Sequence, residues 1–144
     1  MKFERIMMTL AVLATLAFVA VAANSYRVEL PFEGLHQHVV LTLGTVSALL
    51  LPHFWVLFYL VGTGRVLRAA GSVESSRRRL FGLMAITILL LLAVVVTSVL
   101  LGGPAAVRLH KVVFAFAGLL QLATLAVQWQ ELRHNARQFR DAPA

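Results

Sequence analysis

The sequence predicts an all-α membrane protein, a four-helix transmembrane bundle with both termini in the cytoplasm. The first observation is composition: the 144 residues are 60% hydrophobic and 13% charged, whereas soluble domains are about 45–50% apolar and about 25% charged. The second is a mean hydropathy of +0.84. The third is that four stretches are long and apolar enough to cross about 30 Å of hydrocarbon, without the strict alternation of membrane β-strands.

Four spans account for most of the chain. The predicted spans are residues 6–23, 35–61, 80–101 and 112–129. In hydrocarbon every backbone polar group must be paired within the protein, so these spans are predicted to be helices. The first carries no charge, the second contains Pro52 and His53, and the fourth contains Gln121.

The connecting segments are too short to hold a soluble domain. They are residues 24–34 and 102–110, predicted as outer loops, and residues 62–79, predicted as the cytoplasmic loop. Residues 130–144 follow the last span as a cytoplasmic tail that is expected to extend the fourth helix by a few turns. The whole chain is therefore predicted to be a single transmembrane domain.

The basic residues predict the orientation. With a cytoplasmic N-terminus, ten of the 13 basic residues face the cytoplasm, which is a strong positive-inside signature. These ten are Lys2, Arg5, Arg65, Arg68, Arg77, Arg78, Arg79, Arg133, Arg137 and Arg140. This asymmetry explains most of the net charge of +7, so no nucleic-acid partner is needed. Arg77, Arg78 and Arg79, with Trp55 and Trp129, are predicted membrane anchors.

The first span has a competing interpretation. A basic start followed by an apolar run and the small residues 20–22 also resembles a cleavable signal peptide. The run of 6–23 is longer than the usual apolar core of about 7–15 residues. We therefore expect residues 1–22 to remain as a membrane helix, with cleavage as the alternative.

A weak internal similarity suggests two related halves. An offset of 74 residues aligns identical residues of the second span with residues in or just before the fourth span, including scarce histidine, glycine and tryptophan. The aligned pairs are Leu35 with Leu109, His36 with His110, Val39 with Val113, Gly44 with Gly118, Leu51 with Leu125 and Trp55 with Trp129. Such a duplication predicts two parallel-repeated helical hairpins related by a pseudo-twofold axis along the membrane normal.

Histidines near the outer ends of two spans are the first candidate site. Because the repeat makes His36 and His110 equivalent, they are candidate axial ligands of a haem b held between facing helices. His36, His38 and His110 are alternatively candidate metal ligands. On a helix His38 points about 200° away from His36, so all three meet only if residues 35–38 are not helical. The simpler interpretation is that these rings are wetted at headgroup depth.

His53 is the second candidate, because an ionisable residue in the middle of a span faces the bundle interior and is commonly functional. Gln121 lies at similar depth and is its expected partner, with Ser47 and Thr97 as lesser ones. Pro52 frees the carbonyl of Ala48, which a neighbouring helix, a water or His53 itself would satisfy. His53 is thus a candidate cofactor ligand or a transport-path residue, or simply a neutral ring at a polar kink.

The expected function is that of a non-catalytic accessory or anchor subunit of a larger membrane complex in a bacterial cytoplasmic membrane. The absence of cysteine excludes thiol chemistry and disulfides, and no hydrolase or metalloprotease motif is present. The expected partners are lipids and other membrane subunits or a second copy of this chain. Two alternatives remain open: a haem b electron-transfer subunit, and a small transporter or channel that uses His53 and Gln121.

Overall fold

A computed structural model describes the backbone of residues 2–25, 35–69, 76–100 and 103–141, and side chains within 5–24, 35–64, 78–100 and 103–138. These ranges contain four helices: α1 (Lys2–Ser25), α2 (Leu35–Ala69), α3 (Ser76–Val99) and α4 (Pro104–Asp141). Each helix is long and apolar enough to cross a membrane. The prediction of an all-helical fold with four membrane-length helices is confirmed.

The helices extend beyond the predicted spans. Residues 104–110, which were predicted as part of an outer loop, are helical, because α4 begins at Pro104. Proline suits the first turn of a helix, where its missing amide hydrogen has no intrahelical partner. The same helix continues to Asp141, and α2 continues to Ala69 through part of the predicted cytoplasmic loop.

The four helices form a closed ring of neighbours. Helix α1 packs against α2 and α4, and α3 also packs against α2 and α4. Helices α2 and α4 make a further contact across the diagonal of the bundle. They run in the same direction, because His38 meets His110 near their starts and Thr63 meets Asn135 near their ends.

Inward-facing residues recur every three or four positions, which is the spacing of four-helix bundle cores. The α4 set shows it most fully: His110, Phe114, Ala117, Gln121, Thr124, Gln128, Leu132 and Asn135. Two apolar clusters separate the polar positions. One contains Phe18, Val46, Leu49, Leu91, Val94, Phe114 and Ala117, and the other contains Met8, Val56, Leu60, Leu80, Met84 and Leu132.

The burial pattern does not follow the predicted offset of 74 residues. That offset pairs His36, which is exposed, with His110, which is buried. The contacts across the diagonal instead join residues 72 apart at both ends of the bundle: His38 with His110, and Thr63 with Asn135. The offsets of 72 and 74 differ by two residues, which corresponds to a rotation of about 200° around a helix. The offset of 74 therefore pairs inward-facing positions of α4 with outward-facing positions of α2.

Candidate functional site

Among the described residues, buried polar side chains that hydrogen-bond between helices form three layers along the bundle. The histidine pair, His38 and His110 with Thr42 and Thr97, lies at the end where α2 and α4 begin. The central network consists of Thr15, His53, Gln121 and Gln128, with Thr87 and Thr124 paired nearby. The third layer is the contact between Asn135 and Thr63.

His53 is fully buried and both of its ring nitrogens are hydrogen-bonded. Its Nε2 atom lies 2.8 Å from Oε1 of Gln121, and its Nδ1 atom lies 2.7 Å from Nε2 of Gln128. An amide oxygen only accepts and an amide nitrogen only donates. The contacts therefore define a neutral imidazole that donates from Nε2 to Gln121 and accepts at Nδ1 from Gln128.

The hydrogen bonds continue from α4 to α1. Nε2 of Gln121 donates to Oγ1 of Thr15 over 3.2 Å, and that hydroxyl donates to the Ala11 carbonyl over 2.7 Å. The donors thus point in one direction, from Gln128 through His53 and Gln121 to α1. Oε1 of Gln128 is the exception: it is buried without a hydrogen-bond partner among the described residues.

The prediction that Gln121 is the partner of His53 is confirmed by this contact. The lesser predicted partners lie elsewhere, since Ser47 is exposed and Thr97 contacts His110. Helix α2 runs continuously through Pro52. The ring of His53 is directed at the two glutamines and does not cap the Ala48 carbonyl.

The threonine pair joins α3 to α4 beside the central network. Oγ1 of Thr87 lies 2.6 Å from Oγ1 of Thr124 and donates its proton to the Leu83 carbonyl over 2.9 Å. The hydroxyl of Thr124 is therefore the donor between the two threonines.

The histidine pair joins three helices. The Nε2 atoms of His38 and His110 are 3.2 Å apart, and the two rings stand at 90°. Nδ1 of His110 lies 2.9 Å from Oγ1 of Thr97 on α3, and Oγ1 of Thr42 lies 3.5 Å from Nε2 of His38. The ring of His110 also packs edge-on against Phe114.

The structure places His38, and not His36, against His110. Helix α2 already includes Leu35, so His36 and His38 point in different directions, and His36 is exposed. The sequence signal was the helical spacing of His38, Thr42, Val46, Leu49 and His53. That spacing puts His38 on the same face as His53.

A haem does not fit between His38 and His110 in this arrangement. Two axial nitrogens on opposite sides of one iron stand about 4 Å apart, taking about 2 Å for each metal–nitrogen bond, with the porphyrin between the rings. The observed Nε2 atoms are 3.2 Å apart and the ring centroids 5.4 Å apart. Among the described residues there is also no group of three or more histidine and carboxylate side chains placed to hold a metal, so the predicted set of His36, His38 and His110 does not converge.

The predicted anchors occupy the bundle surface. Trp55, Arg78 and Arg79 are exposed, while the side chain of Arg77 lies outside the described residues. The guanidinium of Arg133 stacks 4.2 Å above the ring of Trp129. Trp129 also borders an apolar groove of about 650 Å³ between α1 and α4. The residues that line this groove do not belong to the three hydrogen-bonded polar layers.

Comparisons of the chain with protein-family models, curated proteins and solved structures find no match. The central network consists mainly of amides and hydroxyls that hydrogen-bond to one another, and the histidine pair offers two imidazoles at close range.

Proposed function

We propose that the protein is a non-catalytic integral membrane subunit, a helical anchor within a larger membrane complex. The observation that carries the proposal is the way His53 is held between Gln121 and Gln128 inside the bundle. Apart from Oε1 of Gln128, the side-chain polar groups of this layer hydrogen-bond within the bundle. Their chemistry is thereby used to fix the arrangement of the helices.

Such contacts matter in a membrane because lipid tails are as apolar as leucine, so burial of apolar side chains does not hold helices together. Packing and interhelical hydrogen bonds determine the arrangement instead. The central network connects α1, α2 and α4, and the bond between Thr87 and Thr124 adds α3. All four helices are thereby fixed relative to one another, which suits a rigid anchor.

The layered interior favours an anchor over a transporter. A transport path needs polar groups in series along the membrane normal. Here the apolar cluster of Phe18, Val46, Leu49 and Phe114 lies between the histidine pair and the central network. A second cluster, with Leu60 and Leu132, lies between the central network and Asn135. The polar layers are thus separated by packed hydrocarbon.

The outer surface offers large apolar side chains for contact with lipid or with other subunits. On α2, Leu51, Phe54 and Phe58 form a ridge and are 61%, 43% and 68% exposed. On α4, Phe116 is 63% exposed. Aromatic side chains are enriched where proteins contact one another, and Phe54, Phe58 and Phe116 are therefore the positions where we expect other subunits to bind.

The test is site-specific photocrosslinking in the native membrane. A photoreactive phenylalanine analogue replaces Phe58 or Phe116, and replacement of the buried Phe114 serves as the matched control. We expect a discrete crosslink to a different polypeptide from at least one exposed position and none from Phe114. Crosslinks only to lipid, or only to a second copy of this chain, would contradict the proposed role.

A further inference from the structure

The histidine pair has a close approach of two ring nitrogens that a role as a membrane anchor does not require. His38 and His110 are 5% and 2% exposed and come from different helices, yet their Nε2 atoms approach to 3.2 Å. The two rings lie within two turns of the starts of α2 and α4. The pair is therefore buried close to one end of the bundle.

The hydroxyl of Thr97 determines which ring nitrogen of His110 carries the proton. It donates its proton to the Ala93 carbonyl over 2.8 Å, so towards Nδ1 of His110 it acts as an acceptor at 2.9 Å. His110 accordingly carries its proton on Nδ1, and the lone pair on Nε2 points towards His38. Metal-binding histidines are held in the same way, with the second ring nitrogen donating to a fixed acceptor.

The separation of the two nitrogens matches a tetrahedral metal site. Zinc–nitrogen bonds are about 2.0–2.1 Å long, so two nitrogens on adjacent corners of a tetrahedron stand about 3.3 Å apart. We propose that Nε2 of His38 and Nε2 of His110 bind a divalent first-row transition metal of the zinc type. Imidazole is a favoured ligand of this group of metals.

Binding requires one rearrangement of protons and no redox partner. In the metal-free pair Nε2 of His38 donates to Nε2 of His110, since the latter holds a lone pair. For both nitrogens to coordinate, the proton of His38 moves from Nε2 to Nδ1 through exchange with solvent, and the net charge of the ring is unchanged. The remaining coordination positions are left to water that reaches this end of the bundle when the metal binds, and Oγ1 of Thr42 is one protein oxygen close to Nε2 of His38.

The experiment starts from a background that lacks the two exposed histidines, H36A/H134A, purified without a histidine tag. Zn²⁺ binding is measured by calorimetry, and Co²⁺ binding by the visible absorption of tetrahedral cobalt. We expect one metal per chain in this background. Adding H38A or H110A should lower the affinity at least about tenfold, and restoring His36 and His134 should leave the tight site unchanged.

Thr97→Val tests the positioning of His110 while keeping both ligands. Loss of the acceptor for Nδ1 is expected to weaken zinc binding about 10- to 100-fold and to leave a stoichiometry of one. Thr45→Val on α2 is the matched control, because Thr45 donates to the Leu41 carbonyl and touches neither histidine. Equal affinities for both valine variants would overturn the assignment of Thr97.

If H38A or H110A fails to fold, the site can still be tested in a protein that keeps both His38 and His110. X-ray absorption of zinc-loaded H36A/H134A should show two imidazole ligands. No stoichiometric binding, fewer than two imidazoles, or binding that survives both H38A and H110A would overturn the site. These outcomes are independent of the photocrosslinking result, so the anchor role and the metal site fail separately.

Discussion

Nε2 of His53 donates to Oε1 of Gln121 over 2.8 Å in the interior of the bundle, across the diagonal between α2 and α4. Both side chains are fully buried. A buried donor that loses its acceptor retains the whole penalty of leaving water. We therefore expect the stability of the helix arrangement to be sensitive to substitution at this contact.

Gln121→Met should destabilise the bundle, because it keeps the volume of the side chain but leaves the Nε2 hydrogen of His53 without an acceptor. It also removes the donor to Thr15. We expect the free energy of unfolding to fall by about 1–2 kcal/mol, measured by steric trapping in bicelles. Gln130→Met is the control on the same helix, because Gln130 is exposed; an equal loss there would refute the interpretation.

Gln128→Met should cost less than Gln121→Met. The substitution removes a donor to His53 but also removes Oε1, the buried oxygen without a described partner. Because eliminating an unsatisfied buried group is favourable, the two effects partly offset one another. The same unfolding assay compares the two variants, and a larger loss for Gln128→Met would show that the network is wrongly assigned.

The threonine pair predicts a non-additive double mutant. Thr87→Val or Thr124→Val alone removes one side of the 2.6 Å contact between α3 and α4, and each should lower the free energy of unfolding by about 0.5–1.5 kcal/mol. The double valine variant leaves no hydroxyl behind and should lose less than the two single losses together. Strict additivity in this double-mutant cycle would mean that the two hydroxyls do not interact.

We expect Gly118 to tolerate alanine but not leucine. A Cβ atom there would lie 3.7 Å from Cε1 of Phe18, an ordinary contact, and alanine favours helix by up to about 1 kcal/mol. A leucine would press on Phe18, which stacks on Phe114 at a centroid distance of 4.5 Å, and should cost about 1–3 kcal/mol. Gly44→Leu is the control, since nothing lies within 4 Å of a Cβ there; similar losses at both glycines would contradict this packing.

The absence of cysteine allows the predicted orientation to be tested directly. Asn24→Cys and His134→Cys place single thiols at exposed positions near opposite ends of the bundle. In intact cells, a membrane-impermeant maleimide should label Asn24→Cys and should reach His134→Cys only after the membrane is opened. The reverse pattern would overturn the orientation predicted from the basic residues.

The sequence was most informative where the signal is local. Length and apolarity identify four helices, because each span must hydrogen-bond its own backbone groups in hydrocarbon. The similar positions of His53 and Gln121 within their spans were enough to pair them. The start of α4 was missed because hydropathy does not register its basic first turns, which contain Arg108. Proline at position 104 was the available signal.

The rotation of the helices was harder to predict. Aligning His36 with His110 chose the wrong face of α2, since a slip of two residues nearly reverses direction around a helix. The spacing of three and four residues from Gln121 to Thr124 and Gln128 would have revealed the α4 interior. The contact of Thr15 with Gln121 joins residues 106 apart, and it depends on how α1 packs.

The most direct test of the anchor role is the mass of the particle that contains this chain after gentle extraction from its native membrane. The chain carries a small epitope tag at its chromosomal locus, and native mass spectrometry identifies the accompanying polypeptides. A stable complex that contains at least one different membrane protein at fixed stoichiometry is the expected result. A monodisperse monomer or a simple homodimer without any other polypeptide would contradict the central claim.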